Sequence, residues 1–145
     1  MKKLLPILLF FISLNAFAQE WQTDLAAAKK TASQENKEIL LVFQGSDWCA
    51  PCIKLDRELW STDEFKKYAA DHYVMLQADF PRKKKNALPE AQQKKNNALA
   101  EKYNSNGIFP LVVKLDKTGK VLGKTSYTPG TSVQEYIKVF NSFKS

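Results

Sequence analysis

Cysteine, histidine, glycine and proline are all scarce in this 145-residue chain, and each shortage closes off a class of protein. Two cysteines cannot build a disulfide scaffold, so the fold must rest on hydrophobic burial, which a domain of this size can supply. Five glycines and six prolines exclude collagen-like and low-complexity sequence. The cysteines and the single His72 fall short of the four ligands of a structural zinc site. No apolar run after residue 18 is long enough to cross a bilayer, and no segment repeats. What is present is 44% hydrophobic residues, too many for a disordered chain, and a net charge of +7. One globular domain accounts for the length.

The first eighteen residues have the layout of an export signal. Lys2 and Lys3 form a basic start, Leu4 to Leu14 is apolar, and Ala16-Phe17-Ala18 makes a small-x-small cleavage site before Gln19. The apolar run is shorter than the ~20 residues of a membrane span and is broken by Pro6. We therefore expect 1–18 to be a cleaved signal peptide and 19–145 to be the folded domain. No cysteine follows the cleavage site, so a lipoprotein anchor is not indicated. Export would place Cys49 and Cys52 where disulfides persist, which makes their pairing state an open question.

Periodicity along the rest of the chain alternates between strand and helix. Thr23 to Glu35 is Ala-rich and helical in composition, and Ile39 to Phe43 is an apolar run of strand length. Cys49-Ala50-Pro51-Cys52 follows, ahead of a helical pattern from Ile53. Ser61-x-x-Glu64 reads as a capping box for a helix with Phe65, Tyr68 and Ala69 on one face. Val74, Leu76 and Ala78 mark a strand ending near Asp79, and Leu88 to Tyr103 reads as a helix stopped by Asn106-Gly107. Leu111 to Leu115 is a further strand, turned by Asp116 to Gly119 into a short one around Val121-Leu122. Ser132-x-x-Glu135 caps a last helix carrying Val133, Tyr136, Ile137 and Phe140.

Trp48-Cys49-Ala50-Pro51-Cys52 at a helix start, with Ile108-Phe109-Pro110 before a later strand, resembles the thioredoxin superfamily over nearly all of residues 19–145. The pattern is most similar to exported thioredoxin-like proteins of Gram-negative bacteria, including soluble domains that relay reducing equivalents in the periplasm. The resemblance implies an α/β fold with a central mixed β-sheet flanked by helices on both faces. It also implies that Pro110 is cis and lies beside the reactive sulfur, and that the protein is periplasmic. One departure matters: where thioredoxins keep a buried aspartate, this chain has Phe43. Ala50 replaces the usual glycine between the cysteines, and Pro81 to about Asn97 lengthens the link after the central strand.

Thiol–disulfide exchange needs an exposed thiolate of lowered pKa and a second thiol able to close on it. At a helix N-terminus, free amides and the positive end of the dipole stabilise a Cys49 anion, and Cys52 lies within reach. Pro51 sits in the first turn, where its missing N–H costs nothing. Trp48 and Phe109 would shield the site with Pro110. With Phe43 unable to take a proton, water or the exposed neighbour Asp47 is the expected acceptor for Cys52. A merely stabilising disulfide is the competing account of the pair, but so short a loop gains little from cross-linking. A two-thiolate copper(I) site also stays open on ligand softness.

Arg82, Lys83, Lys84, Lys85, Lys94 and Lys95 face the single acid Glu90 in one segment. Export and the lack of interleaved aromatics argue against nucleic acid, leaving a solvated, mobile insertion or a docking surface for an acidic partner. The sequence thus points to an exported, monomeric thiol–disulfide oxidoreductase that uses no cofactor and no metal. Cys49 attacks substrate protein disulfides, Cys52 resolves the mixed disulfide, and an upstream electron donor, membrane-bound in one version, restores the dithiol. Reduction is the favoured direction by resemblance. An oxidase, an isomerase, or a non-catalytic copper- or partner-binding module is the alternative.

Overall fold

The structure is a computed structural model and describes residues 19–144; the 1–18 segment expected as a signal peptide lies outside the described residues. Its centre is β2 (Glu38–Gln44), in which Ile39, Leu40, Leu41, Val42 and Phe43 are all buried. A strand covered on both faces reads as a continuous apolar run rather than an alternating one, which is why this element stood out. β3 (Tyr73–Asp79) pairs parallel to it, Leu41 opposite Leu76, and β4 (Leu111–Leu115) pairs antiparallel, Leu41 opposite Val113. β1 (Trp21–Gln22) lies parallel outside β3 and β5 (Val121–Thr125) antiparallel outside β4, giving the order β1-β3-β2-β4-β5.

Alternate residues of β2 feed two cores. Ile39, Leu41 and Phe43 pack with Ala28 and Ala32 of α1 (Leu25–Glu35) and with Leu99 and Tyr103 of α4 (Glu90–Tyr103). Leu40 and Val42 pack with α2 (Ala50–Leu55), its continuation as a π turn (Asp56–Trp60), α3 (Asp63–His72) and α5 (Val133–Ser142). Trp60 anchors that second core, 5.0 Å from the Phe65 ring centre and stacked on Phe140. Each fully buried large side chain contributes about 1.5–3 kcal/mol. The result is a mixed sheet with helices on both faces, as the resemblance implied.

Several boundaries differ from the sequence expectation. α1 starts at Leu25, not Thr23, because Asp24 caps it, accepting the Ala27 N–H at 2.9 Å, and Trp21–Gln22 ahead of it extend the sheet. α2 opens at Ala50, before Ile53, because Cys49 is its N-cap. The cap of α3 is Thr62 rather than Ser61: the π turn carries the helix to Trp60, Thr62 Oγ1 accepts the Phe65 N–H, and the Ser61 hydroxyl donates to Asp56. Glu64 accepts from Gln134 on α5 instead of closing a box. α4 starts at Glu90, not Leu88, since a residue before proline is disfavoured in helical geometry and Pro89 follows. The Ser132–Glu135 capping box forms as read.

Lys114, in mid-β4, is buried, although a strand lysine is ordinarily solvated. Its Nζ donates to the carbonyls of Phe140 and Phe143 at 3.0 Å and pairs with Glu38 at 2.5 Å. A cation at the C-terminus of α5 is favoured by the helix dipole and ties that helix to the sheet.

Candidate active site

β2 and β3 run parallel and end side by side at Gln44 and Asp79, so the two loops leaving them start from one crevice. The first carries Gly45 to Trp48 into α2. Its turn closes on the Gly45 carbonyl, which accepts the Cys49 N–H at 2.9 Å and the Trp48 N–H at 3.3 Å. Gly45 is required: a Cβ there would overlap the Trp48 indole. Cys49 then stands at the N-cap of α2 in extended geometry, its Sγ accepting the Cys52 N–H at 3.3 Å. The two cysteines form a disulfide with their Cα atoms 5.2 Å apart, each only 4% exposed, so in this oxidised form Cys49 is not the exposed sulfur that exchange was expected to need. Opened by reduction, the Cys49 sulfur would face free amides at the start of an unbroken helical stretch from Ala50 to Trp60, the setting that stabilises a thiolate. Pro51 is in the first turn, as expected, and Ala50 and Pro51 are exposed.

The second loop braces the first. Asp79 accepts the Ser46 N–H at 2.9 Å and the Phe80 N–H at 3.0 Å on Oδ1, and the Ser46 hydroxyl at 2.6 Å on Oδ2. The Asp79 carbonyl in turn accepts from the buried Asn96 amide of α4 at 2.8 Å. Trp48 donates its indole N–H to the Phe80 carbonyl at 2.7 Å, and the Arg82 guanidinium lies 3.6 Å over its ring. Phe109 meets both Trp48 and Phe80 edge-on, at 5.6 and 5.5 Å between ring centres. Phe109–Pro110 is a cis peptide bond and Pro110 is buried. The loop that presents them is closed by Asn104, whose side chain exchanges two hydrogen bonds with the backbone of Ile108, and by Gly107 at φ +64°, where a left-handed residue is needed.

Asp47 ties the loop before the redox pair to the loop after β3. Oδ1 accepts the Arg82 N–H, and Oδ2 accepts the Lys83 N–H and the Asn86 side-chain amide, all within 3.0 Å. These donors, the Arg82 amide foremost, lower its carboxyl to about 2, which makes it a weak base near neutral pH. It serves as a clamp on the basic segment. That segment is exposed at Arg82 to Lys85, but it is held by Asp47 and Trp48, turns through a single 3₁₀ turn (Lys84–Asn86) and continues as α4. Lys94 pairs with Glu90 and Lys95 with Asp24. Among the described residues, Arg82, Lys83, Lys84 and Lys85 form no ion pair.

Phe43 is fully buried between Ala78 and Leu111, so the position of the thioredoxin acid is apolar here. A cleft of about 230 Å³ reaches Cys52, lined by Gln44, Ser46, Cys52, Ile53 and Asp56. Ile53 and Ile108, 48% and 45% exposed, add apolar surface next to Cys52 and Phe109 in sequence. The sequence reading missed Asp79, Phe80, Arg82 and Asn96. The one usable signal was the carboxylate at the end of a central strand.

Comparison with known proteins agrees with this geometry. The thioredoxin-like family model matches residues 20–117. A disulfide bond reductase, DsbH of Chlamydia pneumoniae, is 38% identical over 125 residues, covering 86% of this chain and 73% of the relative. The solved structure of a DsbH oxidoreductase superposes with a TM-score of 0.76 at 36% identity, covering 86% of this chain and 83% of that one. A thioredoxin from Thermus thermophilus, 16% identical with a TM-score of 0.60 over 85% of each chain, shares the fold. The chain belongs to the thioredoxin-like family and is a thiol–disulfide oxidoreductase whose redox pair is Cys49–Cys52.

Proposed function

We propose that the protein is an exported reductase of protein disulfides, working in the periplasm as a monomer. The observation that carries the exchange chemistry is the position of Cys49 at the N-cap of α2 with the Cys52 amide directed at its sulfur; it makes Cys49 the attacking sulfur in either direction. In the reduced protein the Cys49 thiolate attacks a sulfur of the substrate disulfide and forms a mixed disulfide, releasing one substrate thiolate. The Cys52 thiolate then attacks Cys49 Sγ, forming the Cys49–Cys52 bond and releasing the second substrate thiolate. Trp48, Phe109 and Pro110 hold the rim of the site, and Ala50 and Pro51 present it to the substrate. A donor protein must return two electrons for each turnover. The reductive direction is supported by the relative named a disulfide bond reductase. Residues 1–18 support export.

The test is insulin reduction with dithiothreitol as electron source. The wild-type protein should accelerate insulin precipitation, and Cys49→Ser should abolish the acceleration. A wild-type protein that instead oxidises a reduced substrate, with no effect on insulin, would refute the reductive reading.

A further inference from the structure

Resolution of the mixed disulfide requires Cys52 to lose a proton, and neither the residue at the thioredoxin acid position nor Asp47 stands free beside it. The Phe43 position is apolar, and Asp47 is bound to Arg82, Lys83 and Asn86. Cys52 is also nearly closed to bulk solvent. The cleft beside it is the remaining route. Its volume of about 230 Å³ holds several water molecules, and Gln44, Ser46 and Asp56 supply polar partners for them.

Asp56 is the one carboxylate among the residues lining that cleft. It lies one helical turn beyond Cys52, its backbone N–H donating to the Cys52 carbonyl, and residues four apart share a helix face. Its Oδ2 accepts the Ser61 hydroxyl at 3.2 Å, while Oδ1 has no donor among the described residues. Asp56 is itself exposed, at the open end of the cleft, and the other charges nearby are engaged or exposed too. Asp79 stands behind Ser46 and holds its hydroxyl. Arg57 and Glu58 approach each other at 3.7 Å, Glu58 also accepting from Tyr127, and Lys54 is exposed.

We infer that Asp56 accepts the Cys52 proton through the water of this cleft as Cys52 attacks the mixed disulfide, an inference that rests on the exchange cycle proposed above. The Cys52 S–H bond breaks and its proton passes by way of water to the Asp56 carboxylate. The sulfur electron pair forms the bond to Cys49 Sγ, and the Cys49–substrate S–S bond breaks. The departing substrate thiolate carries away that bond's electron pair and takes its proton from solvent. Asp56 then returns its proton to solvent at the open end of the cleft.

The two half-steps separate in the reaction of the reduced protein with 5,5′-dithiobis(2-nitrobenzoate). Attack by Cys49 releases one thionitrobenzoate, and resolution by Cys52 releases the second. In stopped flow across pH 5.5–9, Asp56→Asn should leave the first phase unchanged and slow the second by about tenfold or more near pH 6. The gap should close at high pH, where hydroxide removes the proton, and Asp56→Glu should restore most of the rate. A second phase in Asp56→Asn with the wild-type rate and pH profile would overturn the inference. So would equal slowing of both phases, the mark of a damaged α2. The first phase, read in the same trace, reports the role of Cys49 separately.

Discussion

The indole N–H of Trp48 donates to the carbonyl of Phe80 at 2.7 Å, joining the loop before the redox pair to the loop that leaves β3. The bond is half-buried and Phe109 packs against both partners, so one contact organises three sides of the site. Trp48→Phe keeps an aromatic ring but leaves the Phe80 carbonyl without its donor. We expect it to lower the stability of the oxidised protein by about 1–2 kcal/mol in urea unfolding followed by circular dichroism. An unchanged midpoint would mean that the bond does not brace the site.

The order of the cysteines assigns them different fates. Cys52→Ser should accumulate mixed disulfides with substrate proteins, because nothing remains to release them, and Cys49→Ser should trap none. Diagonal gels of extracts from cells making each variant read this directly, and the reverse pattern would exchange the two roles.

Asp47 predicts an acid response of the basic segment. Its carboxyl is lowered to about 2 from an ordinary 3.8, so the stabilisation it supplies is present above the ordinary value and lost as pH falls through the folded one. Amide exchange at Arg82 and Lys83 should therefore accelerate, relative to the rest of the chain, between about pH 4 and pH 2. Asp47→Ala should show the same loss already at neutral pH, as faster tryptic cleavage after Arg82 to Lys85. Equal cleavage of the variant and the wild type would dismiss the clamp.

The redox pair was legible in the sequence because its chemistry is local: four consecutive residues, an apolar run before them and a helical pattern after them. β2, β4 and the final helix were legible for the same reason, the strands as short apolar runs and the helix by its period, each within a dozen residues. Phe109–Pro110 was reached through family resemblance, since no pattern of a single chain specifies an X-Pro isomer. What escaped depends on partners far along the chain. Asp47 bonds Arg82 and Asn86, Asp79 bonds Ser46, and Lys114 caps a helix ending near Ser142, so none of these roles has a short-range signature. Two-residue β1 is too short to show a period, and the shift of one helix cap from Ser61 to Thr62 follows from a π turn that no periodicity announced.

The reductive reading meets its most direct test in the equilibrium reduction potential of the Cys49–Cys52 couple, measured against glutathione or dithiothreitol buffers. It predicts a value near that of thioredoxin, about −270 mV, and in any case below about −200 mV. A value near the about −120 mV of a strong oxidant such as DsbA would contradict it, since the protein would then take electrons from substrate thiols rather than deliver them.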